Sequence, residues 1–377
     1  MSESQIPWID LRRQYHAVQE EVDAAVRRVL DSIRYVSGPE AESFEREWAS
    51  YCGASFATAV GSGTAALNLT LKALDVGPGD EVITVGFTVS ASLDAIRDLG
   101  ALPVLVDVDP STYTLDPSLL AAKLTPRTKA ILPVHVYGHP ADIDPIVAFA
   151  DEHGLAVVLD ACEAHGAIYK DVQASSLATV SCFSFYPTKN LGALGDAGAV
   201  VTNDEALARR VRLLRQHGWD RRYHSQEVSL NSRMDEIHAA VLRAKLPFLD
   251  TWNQRRRVIA ERYDEALGNS AAVRPAPHAA WAGPSYYFYV VRAANRPALQ
   301  QALTNAGIGS DISWPEPCYL QPAYADLGYR RGDLPITEQL CNEVLTIPVF
   351  PELTDTEVDR VSKALHAFAK RGHSRAG

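Results

Sequence analysis

Short apolar runs alternate with helical patterns along most of the chain. An N-terminal amphipathic helix, with its apolar face on valines spaced three or four apart from Val18 to Val29, comes first. The runs that follow are rich in Val and Ile on both faces, which is typical of buried strands in a mostly parallel sheet. The seven predicted strands are Phe56–Val60, Glu81–Val85, Pro103–Val108, Ala130–Val134, Leu155–Leu159, Val180–Phe185 and Ala199–Thr202.

Predicted helices lie between these strands, for example at Thr64–Leu74 and Ile143–His153. A strand-helix alternation of this kind predicts an α/β fold, with a three-layer α/β/α domain around the sheet. A further helix is predicted at Asp235–Leu246, and a long charged helical segment follows at residues 251–267.

The pattern changes after this charged helix. Three prolines between residues 275 and 284 interrupt the chain before a predicted strand at Tyr286–Val291, and the remainder mixes helix and strand. We therefore expect a large domain over residues 1–250 and a smaller α+β domain over residues 251–377. The tail from about Arg371 is expected to be disordered.

Charge and cysteine content narrow the class of protein. The 377 residues have a formal net charge of -10, which argues against a nucleic-acid partner, because phosphate backbones require a basic surface. The five cysteines form no Cys-x-x-Cys pair, which fits free thiols in a reducing compartment. The first residues lack the apolar core of a signal peptide, and no apolar run approaches the roughly 18–20 residues of a membrane span. We expect a cytoplasmic protein with no membrane partner.

The segment Val60-Gly-Ser-Gly-Thr-Ala-Ala-Leu67 leads from a predicted strand through a glycine turn into a helix that begins near Thr64. Free amides at such a helix start, with no Cβ at Gly63, would form a cradle for a phosphate. The alternative is a tight turn in which Thr64 caps the helix. The segment alone favours neither interpretation.

A carboxylate follows the predicted strand that ends at Leu159. Asp160 lies at its carboxyl end, where open α/β sheets bind ligands, and a buried carboxylate there needs a cationic partner such as a protonated pyridine nitrogen. The alternative is a helix-capping aspartate. Cys162, Glu163 and His165 are spaced too closely to converge on one ion, so we expect no metal site.

Lys189 lies in a glycine-punctuated loop just after a predicted strand and Pro187, and Ser184 offers a hydroxyl nearby. Desolvation in such a loop would favour the neutral amine, which attacks carbonyl groups. A solvated surface lysine is the alternative.

Two further segments could bind a ligand or could be structural. Asn231 and Ser232 precede a predicted helix and could cap it. The loop at residues 215–224 is basic and aromatic within an acidic protein, which fits either a diphosphate pocket or a solvated loop.

A lysine, a carboxylate, a hydroxyl and a phosphate cradle together describe a pyridoxal phosphate site. The chain resembles the DegT/DnrJ/EryC1/StrS family of sugar aminotransferases, which are fold-type I pyridoxal-phosphate enzymes, from about Ile9 to Val361. The most specific matching segments are GSGTAAL, PVHVYGHPADID, LDACEAHGA, FSFYPTKNLGALGDAGAVVTND and NSRMDEIHAAVLRAKL.

The resemblance implies roles for the residues of these segments. Lys189 would bind the cofactor as a Schiff base and move the substrate proton, and Asp160 would pair with the pyridinium nitrogen. The amides of Gly63 and Thr64 and the hydroxyl of Ser184 would hold the phosphate.

The resemblance also implies contacts from other parts of the chain. Phe87 would stack on the cofactor ring, and Glu163 would face its phenolic oxygen. Asn231 would reach the phosphate of the other subunit, so the active site would require a homodimer.

The activity implied is a two-step amino-group transfer. L-Glutamate would leave pyridoxamine phosphate and 2-oxoglutarate, and the amine would pass to the ketone of a nucleotide-linked sugar. The sequences after Lys189 and Asn231 resemble the branch that acts on 3-keto dTDP-hexoses. A 4-keto nucleotide-sugar aminotransferase, a cyclitol aminotransferase and a regulatory protein that kept the fold remain alternatives.

Candidate substrate contacts lie in two loops. Arg221, Arg222 and Tyr223 belong to the basic loop, where the arginines would contact a diphosphate, and Trp314 belongs to the loop that contacts the sugar in the family. Two positions differ from many members of the branch. Glu163 stands in place of Gln, and we expect it to be protonated or to share a proton. Ser313-Trp314-Pro315 replaces His-Tyr-Pro, which leaves the sugar's identity open.

Overall fold

The computed structural model describes residues 5–373, with side chains up to residue 370. The α-helices of this part are α1 (Leu11–Ala17), α2 (Gln19–Ser32), α3 (Pro39–Tyr51), α4 (Gly63–Ala73), α5 (Ser90–Arg97), α6 (Ile143–His153), α7 (Glu205–Leu214), α8 (Glu236–Lys245), α9 (Leu249–Leu267), α10 (Arg296–Asn305), α11 (Pro335–Glu343) and α12 (Asp355–His373).

The strands of the same part are β1 (Phe56–Val60), β2 (Glu81–Val85), β3 (Leu102–Val106), β4 (Thr128–Leu132), β5 (Ala156–Asp160), β6 (Ile168–Tyr169), β7 (Val172–Gln173), β8 (Val180–Ser184), β9 (Gly198–Thr202), β10 (Trp219–Arg221), β11 (His224–Ser225), β12 (Arg274–Pro275), β13 (Ala282–Gly283), β14 (Tyr289–Arg292) and β15 (Val344–Ile347).

Seven strands form the central sheet in the order β1-β9-β8-β5-β4-β2-β3. The sheet is parallel except for β9, which pairs antiparallel with both β1 and β8. Strands β2 and β9 are buried along their whole length, so helices have to cover both faces of the sheet. The predicted α/β fold with a mostly parallel sheet is confirmed. The predicted strands Phe56–Val60 and Glu81–Val85 match β1 and β2 in both bounds.

A second, smaller sheet lies toward the C-terminus, where β14 pairs antiparallel with β12 and β15. Its apolar core includes Tyr263 of α9, Leu303 of α10 and Val361 of α12. The N-terminal segment joins this unit, because Ile6 exchanges backbone hydrogen bonds with Gly307 and Gly309. The division into domains after residue 250 stays a prediction; it falls just after the start of α9.

Two predictions near the C-terminus differ from the structure. The predicted strand Tyr286–Val291 starts only at Tyr289, because Tyr286 has a left-handed φ of 46° that a strand cannot include. Helix α12 extends to His373, past the predicted start of the tail at Arg371. The rest of the predicted tail lies outside the described residues. Within residues 5–373, no helix combines the length and hydrophobicity needed to cross a membrane.

Strand β3 forms one edge of the central sheet, and the chain covers that edge itself. Pro103 has no backbone N–H, and the backbone amide of Leu105 donates a hydrogen bond to Tyr329 Oη at 2.7 Å. The segment that contains Tyr329 is held on the large sheet at a second point, because Asp107 accepts hydrogen bonds from the backbone amide and hydroxyl of Thr337. The loop bearing Trp314 precedes this anchored segment.

Candidate active site

Strand β8 ends at Ser184, and the chain then turns so that the Lys189 amide donates to the Tyr186 carbonyl at 2.8 Å. This turn directs the lysine side chain inward. Lys189 Nζ lies 3.3 Å from Glu163 Oε1 and 4.0 Å from the ring centroid of Tyr287. The side chains of Lys189 and Glu163 are each only 12% exposed. The lysine is therefore a buried group with a carboxylate and an aromatic face as neighbours, and not a solvated surface residue.

The two partners change each other's protonation. Burial is the largest single influence and lowers the pKa of Lys189, but Glu163, Tyr287 and Cys162 together raise that pKa above its ordinary value. Burial raises the pKa of Glu163, against the opposing influence of Lys189. The pair therefore holds its protons more tightly than isolated side chains would. Burial favours the neutral amine, as expected from the sequence, but the neighbouring groups reverse the net effect in the ligand-free chain.

Replacing Glu163 by glutamine should allow pyridoxal phosphate to react with Lys189 at lower pH than in the wild type. The change removes the negative charge that raises the pKa of Lys189, so more neutral amine is present at any given pH. We expect the rate at which the cofactor-free protein gains visible absorbance with pyridoxal phosphate to rise about tenfold for each unit by which that pKa falls. Stopped-flow absorbance between about pH 6 and 10 measures this.

The matched control is Asp144→Asn. Asp144 forms an exposed ion pair with Lys170, so its replacement removes a carboxylate without touching Lys189. A pH profile for Glu163→Gln that coincides with those of the wild type and this control would contradict the assignment of Glu163 as the group that controls Lys189.

Asp160 ends β5 and is 3% exposed. Its Oδ2 accepts a hydrogen bond from Ser92 Oγ at 2.8 Å, and its Oδ1 accepts one from the backbone amide of Cys162 at 3.2 Å. Ser92 is itself hydrogen-bonded to Thr88 at 2.9 Å. Asp160 is thus fixed in orientation at the carboxyl edge of the sheet, where a buried negative charge favours a cationic ligand.

The glycine turn before α4 lies against the end of β8. Ser62 caps α4, because its Oγ accepts a hydrogen bond from the Ala65 amide at 3.1 Å. The capping role that Thr64 might have had therefore belongs to Ser62. The amides of Gly63 and Thr64 belong to the first turn of the helix, where backbone donors have no intrahelical partner. Such amides suit an anion.

A residue larger than glycine at position 63 would displace its neighbours. A Cβ at this position would lie 2.6 Å from Ser184 Cβ and 2.8 Å from Cys162 Sγ. The Gly63 backbone therefore lies against Ser184, whose hydroxyl accepts a hydrogen bond from the Tyr186 amide at 3.3 Å. The structure thus brings together the residues that were predicted to hold a phosphate.

Substituting alanine for Gly63 should weaken this cradle. We expect the free energy of unfolding to fall by about 1–3 kcal/mol, because the new methyl group forces α4 away from β8. The affinity for pyridoxal phosphate should fall as well, and calorimetry with thermal unfolding measures both effects. Gly77→Ala is the control, since a Cβ at Gly77 meets nothing within 4 Å. Equal affinities in the two variants would argue against an anion site at Gly63.

An aromatic group forms another wall near the site. Phe87 is fully buried, and its ring meets those of Trp314 and Tyr137 edge to face at 5.1 and 5.9 Å. Trp314 stacks on Tyr137 at 4.9 Å, and the Tyr137 amide donates to Glu163 Oε2 at 2.9 Å. The structure therefore brings Trp314 close to the Glu163 and Lys189 pair. That Phe87 stacks on a cofactor ring stays a prediction.

The predicted diphosphate contacts line a cleft whose lining residues do not include Lys189. Tyr223 links the hairpin strands β10 and β11 at a left-handed φ of 67°, and the Arg222 guanidinium lies 4.8 Å from its ring centroid. The hairpin borders a cleft of about 560 Å³ whose lining residues include three arginines and no carboxylate. These residues are Val36, Ser37, Gln216, Trp219, Arg221, Arg222, Tyr223 and Arg233. Asn231 is exposed nearby, where it bridges to Gln216.

Cys162, Glu163 and His165, which are close in sequence and of metal-binding type, have separate partners. Cys162 Sγ donates to the Cys182 carbonyl at 3.7 Å, and His165 Nε2 donates to the Ser184 carbonyl at 2.8 Å. Burial lowers the pKa of His165 to about 3, so its ring is neutral. Glu163 faces Lys189 instead. Within residues 5–373, no group of three or more such side chains is arranged to hold a metal ion.

Sequence reasoning missed several residues that orient the site. Ser92 binds Asp160, and Tyr287 lies against Lys189. Thr188 next to the lysine contacts Tyr287 Oη at 3.0 Å. Asn253 of α9 is hydrogen-bonded to the loop behind Lys189. Of these, only Ser92 had a usable signal, as a hydroxyl at the start of a helix that follows the Phe87 segment.

Comparisons with known proteins identify the family of the chain. The sequence profile of the DegT/DnrJ/EryC1/StrS aminotransferase family matches residues 16–366. The chain is 46% identical over 364 residues to the erythromycin biosynthesis sensory transduction protein EryC1 of Saccharopolyspora erythraea, covering 97% of this chain and all of that protein. It is 44% identical over 366 residues to a dTDP-3-amino-3,4,6-trideoxy-alpha-D-glucose transaminase of Streptomyces venezuelae, covering 97% of each.

A solved structure shows the same likeness in three dimensions. The crystal structure of S. venezuelae DesV in complex with a ketimine intermediate superposes with a TM-score of 0.96 at 43% identity. The match covers 98% of this chain and 100% of that one. The protein is thus a member of the DegT/DnrJ/EryC1/StrS aminotransferase family, whose enzymes depend on pyridoxal phosphate.

Proposed function

We propose that this aminotransferase moves an amino group from L-glutamate to the C3 keto group of a nucleotide-linked deoxyhexose, with dTDP as the nucleotide, in deoxyaminosugar biosynthesis. The observation that supports it most is the grouping of Lys189, Asp160 and the Gly63–Ser184 cradle at one edge of the sheet. Relatives named as transaminases of 3-amino dTDP-sugars support the choice of substrate and of carbon.

The residues fit pyridoxal phosphate in the predicted orientation. The tight contact at Gly63 leaves amides and a hydroxyl for the phosphate, and Asp160 offers a buried negative charge for the ring nitrogen. Lys189 offers the amine for the aldehyde. The stacking of Phe87 on the ring is part of this proposal. When bound, this cofactor supplies an electron-accepting ring conjugated to the substrate nitrogen.

The side chains around the site have separate roles in proton transfer, in positioning the lysine and in stabilising charge. Lys189, once free of the cofactor, is the base that takes the proton from the carbon bearing nitrogen and returns a proton in the same region. Glu163 and Tyr287 keep its amine in place between them. Asp160, buried and oriented by Ser92, would favour a positive charge on the ring nitrogen of the bound cofactor.

A second copy of the chain completes the site in this proposal. Exposed apolar side chains cluster after α2 and around the hairpin, including Ile33 at 71%, Val228 at 91% and Leu230 at 59%. Apolar surface of this kind favours association with another protein. We propose a homodimer in which Asn231 reaches the partner's cofactor phosphate.

The same arrangement would give the sugar nucleotide its two contacts. The cleft with Arg221, Arg222 and Tyr223 has positive charge without a carboxylate, as a diphosphate requires. Trp314, from the loop near Glu163, would contact the sugar ring. We place the enzyme in the cytoplasm, where its five free cysteines would remain reduced.

The decisive experiment follows both half-reactions with purified protein. Addition of L-glutamate to the protein with bound pyridoxal phosphate should convert visible absorbance to ultraviolet absorbance and release 2-oxoglutarate. A 3-keto dTDP-6-deoxyhexose should then restore the visible band, and NMR of the product should place nitrogen on C3. A sample without L-glutamate is the control.

Other outcomes would favour the alternatives. Nitrogen on C4 would identify a 4-keto nucleotide-sugar aminotransferase. Turnover of a keto-cyclitol with no calorimetric binding of dTDP would identify a cyclitol aminotransferase. An absorbance spectrum that does not change when L-glutamate is added would overturn L-glutamate as the amino donor and leave a regulatory role.

A further inference from the structure

One side chain of α9 lies directly behind the loops that meet at Lys189. Asn253 is 1% exposed, and its Nδ2 donates to the His165 carbonyl at 2.8 Å. Its Oδ1 accepts a hydrogen bond from Asn190 Nδ2, also at 2.8 Å. Asn190, likewise 1% exposed, donates from the same nitrogen to the Ser285 carbonyl at 2.8 Å. Two buried amides thus connect three separate loops.

The direction of this connection is unambiguous. A main-chain carbonyl can only accept, so the atom facing His165 O must be the amide nitrogen of Asn253, and the atom facing Ser285 O must be that of Asn190. Asn253 Oδ1 is then the atom left to accept from Asn190. Neither amide can be reversed without opposing two acceptors.

The connected loops are the ones that bring the reactive lysine and its neighbours together. The first contains Glu163, the second contains Lys189, and the third contains Tyr287. The loops after β5 and β8 and the loop before β14 have no strand pairing at these positions to fix their spacing. The hydrogen bonds through Asn253 and Asn190 help to fix it. Two direct contacts act beside them, because Ser285 Oγ donates to the Glu163 carbonyl at 3.4 Å and Thr188 contacts Tyr287 Oη at 3.0 Å.

Other residues on the same face of α9 hold the third loop. Arg256 Nη1 donates to the Tyr286 carbonyl and Arg257 Nε donates to the Pro284 carbonyl, both at 3.2 Å. With Asn253 they follow the three- and four-residue spacing of one helix face. The helix also packs closely, because a Cβ at Gly166 would come within 2.6 Å of Asn253 Nδ2.

We propose that Asn253 and Asn190 are positioning residues, which keep Lys189 between Glu163 and Tyr287 by fixing the three loops relative to one another. This inference rests on the proposed role of Lys189 only for its catalytic consequence. Its structural consequence, the environment of the Lys189 amine, is measurable in the protein without cofactor or substrate.

The test measures how the reactivity of Lys189 depends on pH. Trace acetylation of the cofactor-free protein, with Lys189 followed by peptide mass spectrometry, reports the pH at which its amine becomes neutral. In Asn253→Ala and Asn190→Ala we expect this midpoint to fall by about one unit, a tenfold faster reaction at a given pH, because the lysine moves away from Glu163. In the loaded enzyme, kcat should fall about 10- to 100-fold with little change in KM for L-glutamate.

The double variant distinguishes a connected pair from two separate contacts. Because each single change interrupts the same chain of hydrogen bonds, Asn190→Ala with Asn253→Ala should be no worse than the stronger single variant. If the fold-change in the double variant equalled the product of the two single fold-changes, the proposal of one connected unit would be overturned.

Tyr263→Phe is the control for a loss of stability alone. Tyr263 lies on the same helix, is fully buried, and donates to the Pro348 carbonyl at 2.9 Å, away from the site. Its removal should lower the unfolding temperature without moving the Lys189 profile. A profile in the asparagine variants identical to that of Tyr263→Phe would overturn the inference. Should Asn253→Ala not fold, Asn190→Ala decides, since it leaves α9 unchanged.

The two hypotheses fail in different ways. If the wild type gives no absorbance change with L-glutamate while the acetylation midpoint still shifts in the variants, the proposed function is wrong and the positioning role stands. If the wild type transaminates and the midpoint does not shift, the positioning role is wrong alone.

Discussion

Replacing Lys189 by alanine is expected to abolish the visible absorbance of bound pyridoxal phosphate and to slow amino-group transfer by at least about 10³-fold. The substitution removes both the amine that binds the cofactor covalently and the base that moves the substrate proton. No other lysine is paired with a carboxylate inside this site among the residues that the structure describes. Absorbance spectra, and mass spectrometry after borohydride reduction, measure the loss of the covalent bond.

Lys170→Ala is the matched control, since Lys170 is exposed and pairs with Asp144 at the surface. It should behave as the wild type does. Covalent cofactor at another lysine, or an unchanged rate in Lys189→Ala, would contradict the assignment. Folding of the variant can be followed by thermal unfolding, and its unfolding temperature should fall, because Glu163 loses its buried cationic partner.

Replacing Asp160 by asparagine should slow the proton-transfer step by about 10²- to 10³-fold, while the covalent bond to Lys189 still forms. Asparagine has nearly the same shape and can keep one of the hydrogen bonds from Ser92 and the Cys162 amide. It lacks the negative charge that keeps a facing pyridine nitrogen protonated. Single-turnover kinetics with L-glutamate, monitored by absorbance, separate this step from cofactor binding.

Ser92→Ala distinguishes charge from orientation. It removes one hydrogen bond to Asp160 but leaves the carboxyl group in place. We expect roughly a tenfold effect from the lost bond, well below that of Asp160→Asn. If the two variants were equally slow, orientation and not charge would be the main contribution of Asp160.

The sequence predicts the strands correctly where nearly every residue of the strand is buried. Strands β1 and β2 are short, apolar on both faces and bounded by polar or glycine residues, so their ends are visible in the pattern. The run from Tyr286 is equally apolar and aromatic, but its first residues leave the strand direction. Tyr287 instead packs against Lys189, and Phe288 against Tyr137. Propensity cannot distinguish these uses of an aromatic side chain.

The site follows from the sequence only as far as its local motifs extend. Gly63, Asp160 and Lys189 lie at strand or helix ends in recognisable segments. Their supporting partners come from far along the chain: Ser92 is 68 positions from Asp160, and Asn253 is 88 from His165. The helix packing determines which hydroxyl or amide group lies against each loop. That packing depends on residues far apart in the sequence, so a local motif does not reveal it.

The covered edge of β3 bears on how two copies of the chain can associate. An open strand edge offers a row of unpaired amides and carbonyls to any extended segment, which is the starting point of strand exchange and fibrous aggregation. Here Pro103 offers no donor, and Tyr329 already occupies the amide of Leu105. The sheet therefore cannot grow by recruiting a strand at this edge. The homodimer proposed above would then form through other surfaces, where a finite, closed assembly can form in place of an open-ended one.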